Sequence, residues 1–141
     1  MGSIIKMKCT GCEYEKELFW GAGMMDYQDF GRNRTKRAIL NGEYGEEVKK
    51  ALKKHPKAKV YRSNELFHCE CCGTYHLESH VQLFRTKRFL CRQKSRFLIS
   101  SAHACGICGQ EMVHVKEKHN NSLSCPKCKA PIKLFEDGCW D

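Results

Sequence analysis

Eight of the eleven cysteines in this 141-residue chain form four Cys-x-x-Cys pairs. Two intervening residues let both sulfurs contact one metal ion, and two such pairs complete a tetrahedral four-thiolate site. The pairs therefore predict two structural Zn²⁺ sites without an open position for water. The eight candidate ligands are Cys9, Cys12, Cys69, Cys72, Cys105, Cys108, Cys125 and Cys128.

The two C-terminal pairs have 16 residues between them, a spacing typical of a zinc ribbon. We expect Cys105/Cys108 and Cys125/Cys128 to share one ion, with zinc preferred over iron in a rubredoxin-like site. Cys9/Cys12 and Cys69/Cys72 are then expected to share the other ion, across 56 residues that can fold as an insertion. His76 and His80 lie close in sequence to the Cys69/Cys72 pair. A site that uses one of these histidines in place of a cysteine is therefore the alternative.

A secreted disulfide scaffold is the other common use of many cysteines. The odd cysteine count, the x2 spacing and an N-terminal segment without an apolar signal core instead favour a cytoplasmic metalloprotein. Cys71, Cys91 and Cys139 lie outside the pairs, and we expect them to be ordinary thiols. No run of about 18 apolar residues is present, so no membrane span is expected.

Positive charge is concentrated in two segments. The formal net charge is +9, and two four-thiolate zinc sites would lower it to about +5. Residues 32–62 carry a net +8, and residues 85–96 carry +6 with no acidic residue. Phenylalanines flank the second segment, so it combines groups that neutralise phosphates with rings that stack on bases. An amphipathic strand pair with solvated charges and a buried row of phenylalanines is the alternative. The candidate nucleic-acid-binding residues are Arg85, Lys87, Arg88, Arg92, Lys94 and Arg96.

The periodicity of apolar residues indicates an α+β fold. A helical stretch beginning near Asp26 and stopped by Asn41-Gly42 precedes a clearer helix over 43–55, which Pro56 ends. Residues 4–20 are predicted to form a strand, a cysteine turn and a second strand. Further short strands are predicted at 60–68, 75–77, 81–84, 89–91, 97–100, 111–115 and 132–135. We therefore expect two zinc ribbons with small antiparallel sheets, in domains 1–100 and 101–141. The first ribbon would carry a helical hairpin inserted at about 24–56.

The motifs together resemble a loose group of uncharacterised bacterial zinc-ribbon proteins. The matching segments are Cys9/Cys12, Gly21-Ala-Gly23, residues 41–49, Cys69/Cys72-Gly73 and Cys125-Pro-Lys-Cys128. The resemblance implies zinc binding and a cytoplasmic location, and it carries no established activity.

Catalysis has little support in the sequence. No Ser-His-Asp motif or phosphate-binding glycine loop occurs, and no P-C-x-x-C follows His76-Leu-Glu78 as in zinc deaminases. The leading hypothesis is a non-enzymatic, zinc-stabilised protein that contacts nucleic acid through its basic and aromatic segment. A protein-interaction adaptor using Trp20, Phe30 or Trp140, and a metal- or redox-responsive thiol protein, are the alternatives.

Overall fold

The computed structural model describes residues 2–24, 34–89, 92–116 and 123–140, and the side chains of residues 88, 89, 92 and 93 lie outside this description. The predicted α+β class is confirmed, with two antiparallel sheets. The helices bounded within the described residues are α1 (Arg34–Leu40) and α2 (Glu46–Lys54). The strands are β1 (Gly2–Cys9), β2 (Glu15–Trp20), β3 (Lys59–His68), β4 (Tyr75–Phe89), β5 (Arg92–Ser100), β6 (Val113–His114) and β7 (Ile132–Trp140).

The chain divides into two compact units, each built from separated segments. We call Met1–Met24, Asn64–Ser79 and His103–Asp141 the knuckle unit, and Met25–Ser63 and His80–Ala102 the basic unit. One boundary between the units, at Ser63/Asn64, lies inside β3, and another, at Ser79/His80, lies inside β4. The units are therefore interleaved along the chain, and domains 1–100 and 101–141, as consecutive folding segments, stay a prediction.

The three-stranded sheet of the knuckle unit joins the two ends of the described chain. Its order is β2-β1-β7, and both pairings are antiparallel. Alternation along β2 places Leu18 and Trp20 inside while Glu15 and Glu17 are exposed. Met7 and Ile132 join them in a core that also includes Tyr75. Trp20 is only 5% exposed, so its expected use as an exposed adaptor residue is wrong.

The second sheet has the order β5-β4-β3-β6. The two residues of β6 pair with Phe67 and His68 at the end of β3. Residues 75–77 and 81–84, predicted as separate strands, belong to the single 15-residue strand β4. His80 lies within this strand, is buried, and contacts the Ser101 hydroxyl through Nδ1 at 3.2 Å.

The helices of the basic unit pack on their own core. In α2, Val48 and Leu52 are buried at i and i+4, as the periodicity predicts. They form a cluster with Ile39 of α1 and with Val81 and Leu83 of β4. The predicted stop between the helices is confirmed at Gly42, whose φ of 91° is readily adopted only by glycine.

The start of the first predicted helix, near Asp26, lies outside the described residues, as does Phe30. Among the helices that the structure describes, none has the length and apolar character needed to cross a membrane.

Candidate metal centres and basic hairpin

The eight predicted ligands form two clusters, both within the knuckle unit. In each cluster the four Sγ atoms lie within 4.8 Å of one another. We name the clusters by their nesting in the sequence, since the ligands of one lie between the two cysteine pairs of the other. The outer site contains Cys9, Cys12, Cys125 and Cys128, and the inner site contains Cys69, Cys72, Cys105 and Cys108.

The expected partnership of neighbouring pairs is therefore wrong. The antiparallel ladder between β1 and β7 runs from Gly2↔Trp140 to Cys9↔Ile132, which brings the first and last cysteine pairs together. The pairing of His68 in β3 with Val113 in β6 does the same for the two middle pairs. Strand pairing thus overrides the short spacing between Cys108 and Cys125, because a ladder fixes which chain segments meet.

The four cysteine pairs share one turn geometry. The backbone N–H of the first cysteine in each pair donates to the carbonyl five residues later, at 2.8–3.0 Å. This bond closes the turn, so the two sulfurs of a pair project to one side. The donor and acceptor residues are Cys9 and Tyr14, Cys69 and Thr74, Cys105 and Gln110, and Cys125 and Ala130.

Three of the four turns contain a residue with positive φ directly after the second cysteine. Gly73 and Gly109 have φ of 73° and 74°, and their N–H groups donate to the first cysteine's carbonyl at 2.8 Å. Lys129 occupies the same position with φ of 65°, at a steric cost that glycine avoids. A Cys-x-x-Cys-Gly pattern is thus the sequence signal for this turn, and Lys129 departs from it.

Gly11 permits the close approach of the two outer-site turns. A Cβ at this position would lie 2.7 Å from the Ala130 Cβ and 3.3 Å from the Cys128 Sγ. The Gly11 N–H also donates to the Cys9 sulfur at 3.2 Å. Gly11 therefore contributes both space and a hydrogen bond to the outer site.

The sulfur geometry fits a four-thiolate metal ion. Facing sulfurs are 3.3 Å apart for Cys9 and Cys128 and 3.6 Å apart for Cys12 and Cys125. In the inner site the corresponding distances are 3.4 and 3.5 Å, between Cys69 and Cys108 and between Cys72 and Cys105. A Zn–S length of about 2.3 Å in a tetrahedron places sulfurs about 3.8 Å apart. A disulfide requires about 2.05 Å, so these are not disulfides.

The pKa values of the thiols diverge within the inner site. Backbone amides of Cys108 and Ile107 lower the pKa of Cys105 to about 5. Although the Cys72 amide lowers the pKa of Cys69, burial and hydrogen bonds from neighbouring thiols raise it to about 11. The sulfurs are too crowded to ionise together by themselves, because like charges disfavour one another. A bound divalent ion would remove this conflict by compensating all four thiolates.

The inner site has side-chain support that the outer site lacks among the described residues. The Thr74 hydroxyl lies 3.1 Å from the Cys72 sulfur and lowers its pKa. The same hydroxyl lies 2.9 Å from the His76 Nε2, which is 3.7 Å from the Cys105 sulfur. His76 is therefore a neighbour of the inner site rather than one of its four ligands, and His80 bonds Ser101 instead. The spacing of the cysteines gives no signal for the role of Thr74.

Of the three unpaired cysteines, Cys71 and Cys139 are exposed free thiols, and Cys91 lies outside the described residues.

Strands β4 and β5 place the predicted nucleic-acid-binding residues on an antiparallel hairpin of the basic unit. Arg85 pairs with Arg96, and Lys87 pairs with Lys94. All four side chains are exposed. The backbone register continues through Arg88 and Arg92, but their side chains lie outside the described residues.

The aromatic residues of this segment lie on the other face of the hairpin. Phe84 pairs with Phe97, one position before Arg85 and one after Arg96, and successive side chains alternate between faces. The basic and aromatic groups therefore lie on opposite faces of the sheet, as in the amphipathic strand pair given above as the alternative, although Phe97 is exposed rather than buried.

Charge is divided between the two units. The basic unit contains 17 Lys and Arg against five Asp and Glu, a net of +12, while the knuckle unit contains eight against eleven, a net of −3. Eight thiolates and two divalent ions would take the knuckle unit to about −7. The unit with the metal clusters is thus not the unit that carries the positive charge.

No protein-family model, curated protein or solved structure matches this chain. The clusters are compatible with zinc-ribbon-like sites, and membership of the bacterial zinc-ribbon group stays a prediction.

Proposed function

We propose that this is a zinc-stabilised nucleic-acid-binding protein, in which two Zn²⁺ ions hold the knuckle unit together and the basic unit contacts phosphates. The observation that carries the proposal is the division of charge, with +12 on the basic unit. Such a concentration of Lys and Arg is the usual electrostatic footprint of a polyanion site.

The metal role follows from the ligand set. Four cysteines leave no open coordination position, so each ion would be structural rather than catalytic. The ions would join segments far apart in sequence, as Cys12 and Cys125 are separated by 113 positions. Since thiolate sites persist in reducing surroundings, the proposal includes a cytoplasmic location.

The phosphate contact follows from the hairpin. Arg85 faces Arg96 and Lys87 faces Lys94, although like charges directly opposite each other destabilise a strand pair. Within the part of the chain that the structure describes, none of these four side chains has an ion-pair partner. A phosphate backbone lying along this face would relieve the repulsion and release counterions.

Salt-dependent binding of oligonucleotides tests the proposal. We expect the logarithm of affinity to fall linearly with the logarithm of salt concentration, and R85E/R96E to weaken binding and reduce the slope by about 1.4–1.8. The matched control is K8E/K133E, which reverses another directly opposed basic pair, in the knuckle unit. Equal losses in both variants, or no salt-dependent binding by the native protein, would contradict the proposal.

A further inference from the structure

Three aromatic side chains form a continuous row across the strands of the basic unit. The Tyr61 and Phe84 ring centroids are 6.3 Å apart, and those of Phe84 and Phe97 are 5.8 Å apart. Tyr61 lies on β3, Phe84 on β4 and Phe97 on β5. We call these three residues the aromatic face.

The aromatic face is open to solvent. Tyr61 is 46% exposed and Phe97 is 52% exposed, whereas Val81 and Leu83 of the same sheet are fully buried in the helix-packed core. An aromatic ring that only stabilised the core would be enclosed like these residues. The exposed rings therefore offer contact area to a ligand.

A groove of about 330 Å³ lies on this face, and Lys59, Tyr61, Gln82, Phe84, Thr86 and Ser95 line it. This volume is at the lower end of sites that hold small organic groups, about 300–1,000 Å³. The groove combines two aromatic rings with an amide, two hydroxyls and one cation. These groups suit a flat heterocycle with polar edges and a nearby phosphate.

We propose that the aromatic face stacks against the unpaired bases of single-stranded RNA or DNA, an inference that rests on the proposed contact of the basic unit with nucleic acid. Charge complementarity favours this occupant, because Lys59 lines the groove and the hairpin bearing the face has no acidic residue in 85–96. A duplex keeps the faces of its bases stacked inside, whereas a single strand presents them to protein rings.

The position of β5 explains how one strand can reach both groups. β5 is at the edge of its sheet, with Phe97 on the aromatic face and Arg96 on the opposite face. A flexible single strand can bend around this edge, placing bases on the rings and phosphates near Arg85 and Arg96. A rigid duplex has a persistence length of about 50 nm and cannot follow that path.

The test compares four probes by fluorescence anisotropy at one salt concentration: oligouridine and oligothymidine of about 12 nucleotides, a duplex of equal length, and an abasic strand. We expect both single strands to bind more tightly than the duplex and the abasic strand. Tyr61→Ala and Phe97→Ala should each weaken single-strand binding roughly 5- to 150-fold, with little effect on the abasic strand. Oligouridine and oligothymidine then distinguish RNA from DNA.

The matched control is Phe135→Ala, which removes a ring that is 48% exposed in the knuckle unit and should leave affinity unchanged. Tyr61→Trp and Phe97→Trp should retain single-strand affinity, and they serve as the test if an alanine variant does not fold. Two results would overturn the inference and leave the phosphate contact standing. One is equal affinity of the native protein for all four probes. The other is a tryptophan variant that binds the single strands no more tightly than the abasic strand. Absence of salt-dependent binding to every probe would overturn both.

Discussion

The hydroxyl of Tyr75 donates a hydrogen bond to the Ser124 carbonyl at 3.0 Å and accepts one from the Ser124 N–H at 3.1 Å. Tyr75 follows the inner-site ligand Cys72 by three residues, and Ser124 directly precedes the outer-site ligand Cys125. A single buried side chain thus connects the turn of one metal cluster to the turn of the other. The turns of the two sites are therefore coupled through this side chain, although the inner-site cysteines Cys69 and Cys105 pack in a different hydrophobic cluster from Cys125.

Replacing Tyr75 with phenylalanine should weaken both sites together. The change leaves two partly buried backbone groups without this partner, and we expect the free energy of unfolding to fall by about 1–3 kcal/mol. Thermal unfolding of the zinc-loaded protein measures the loss, and zinc-release rates show which site is affected. Tyr14→Phe, a partly buried tyrosine in the same unit, is the control. Faster release from one site alone would contradict the coupling through Tyr75.

The ligand partnership can be tested by counting zinc in double variants. C12A/C125A removes two ligands from the outer site and should retain one zinc per chain. C12A/C69A removes one ligand from each site and should lose stoichiometric zinc at both. Native mass spectrometry measures the ratio. If neighbouring cysteine pairs shared an ion, the two variants would show the reverse result.

The positive φ at Lys129 predicts a stabilising substitution. Lys129→Gly should raise the free energy of unfolding by about 0.5–1 kcal/mol, since glycine adopts this conformation without a Cβ clash. Lys129→Ala removes the same charge but keeps the strain, so it is the matched control. The reciprocal change, Gly109→Ala, should cost about 0.5–1 kcal/mol, because an added Cβ there meets no atom within 4 Å and only φ is tested. Denaturant unfolding with excess zinc measures all three, and a stabilising Gly109→Ala would refute the argument.

The Thr74 hydroxyl should affect one site and not the other. Thr74→Val keeps the shape of the side chain but removes the group 3.1 Å from the Cys72 sulfur. We expect the zinc affinity of the inner site to fall about 10-fold or more, as for other groups that bond metal ligands. Chelator competition resolves the two sites as two phases. Thr10→Val, which removes a hydroxyl bonded to the Pro131 carbonyl, is the control outside the inner site. A change confined to the outer-site phase would contradict the assignment.

Residue spacing was sufficient to identify the candidate ligands but not to predict which cysteine pairs share an ion. Any Cys-x-x-Cys turn can close on one ion, so the eight cysteines are readable one pair at a time. Which pairs meet depends on the ladder from Gly2↔Trp140 to Cys9↔Ile132. The sequence carries only a weak signal for that ladder, since alternation in one strand does not identify its neighbour.

Helix α2 was readable because a local period of buried residues, Val48 and Leu52, determines it. The length of β4 could not be predicted from the sequence, because the polar residues at 78–80 interrupt the apolar pattern. They remain in the strand since His80 is buried against Ser101, whose hydroxyl also accepts from the Val81 N–H at 3.0 Å. Tertiary hydrogen bonding of this kind leaves no trace in the local sequence.

The nesting of one cysteine pair inside the other sets an order for biosynthesis. The inner site can close once Cys108 has emerged from the ribosome, but Cys12 must wait for Cys125, 113 positions later. At about 5–20 residues per second this delay is roughly 6–23 s. During that time Cys9 and Cys12 lack their partners, so we expect a nascent chain to be more easily oxidised than a finished chain whose two sites hold zinc.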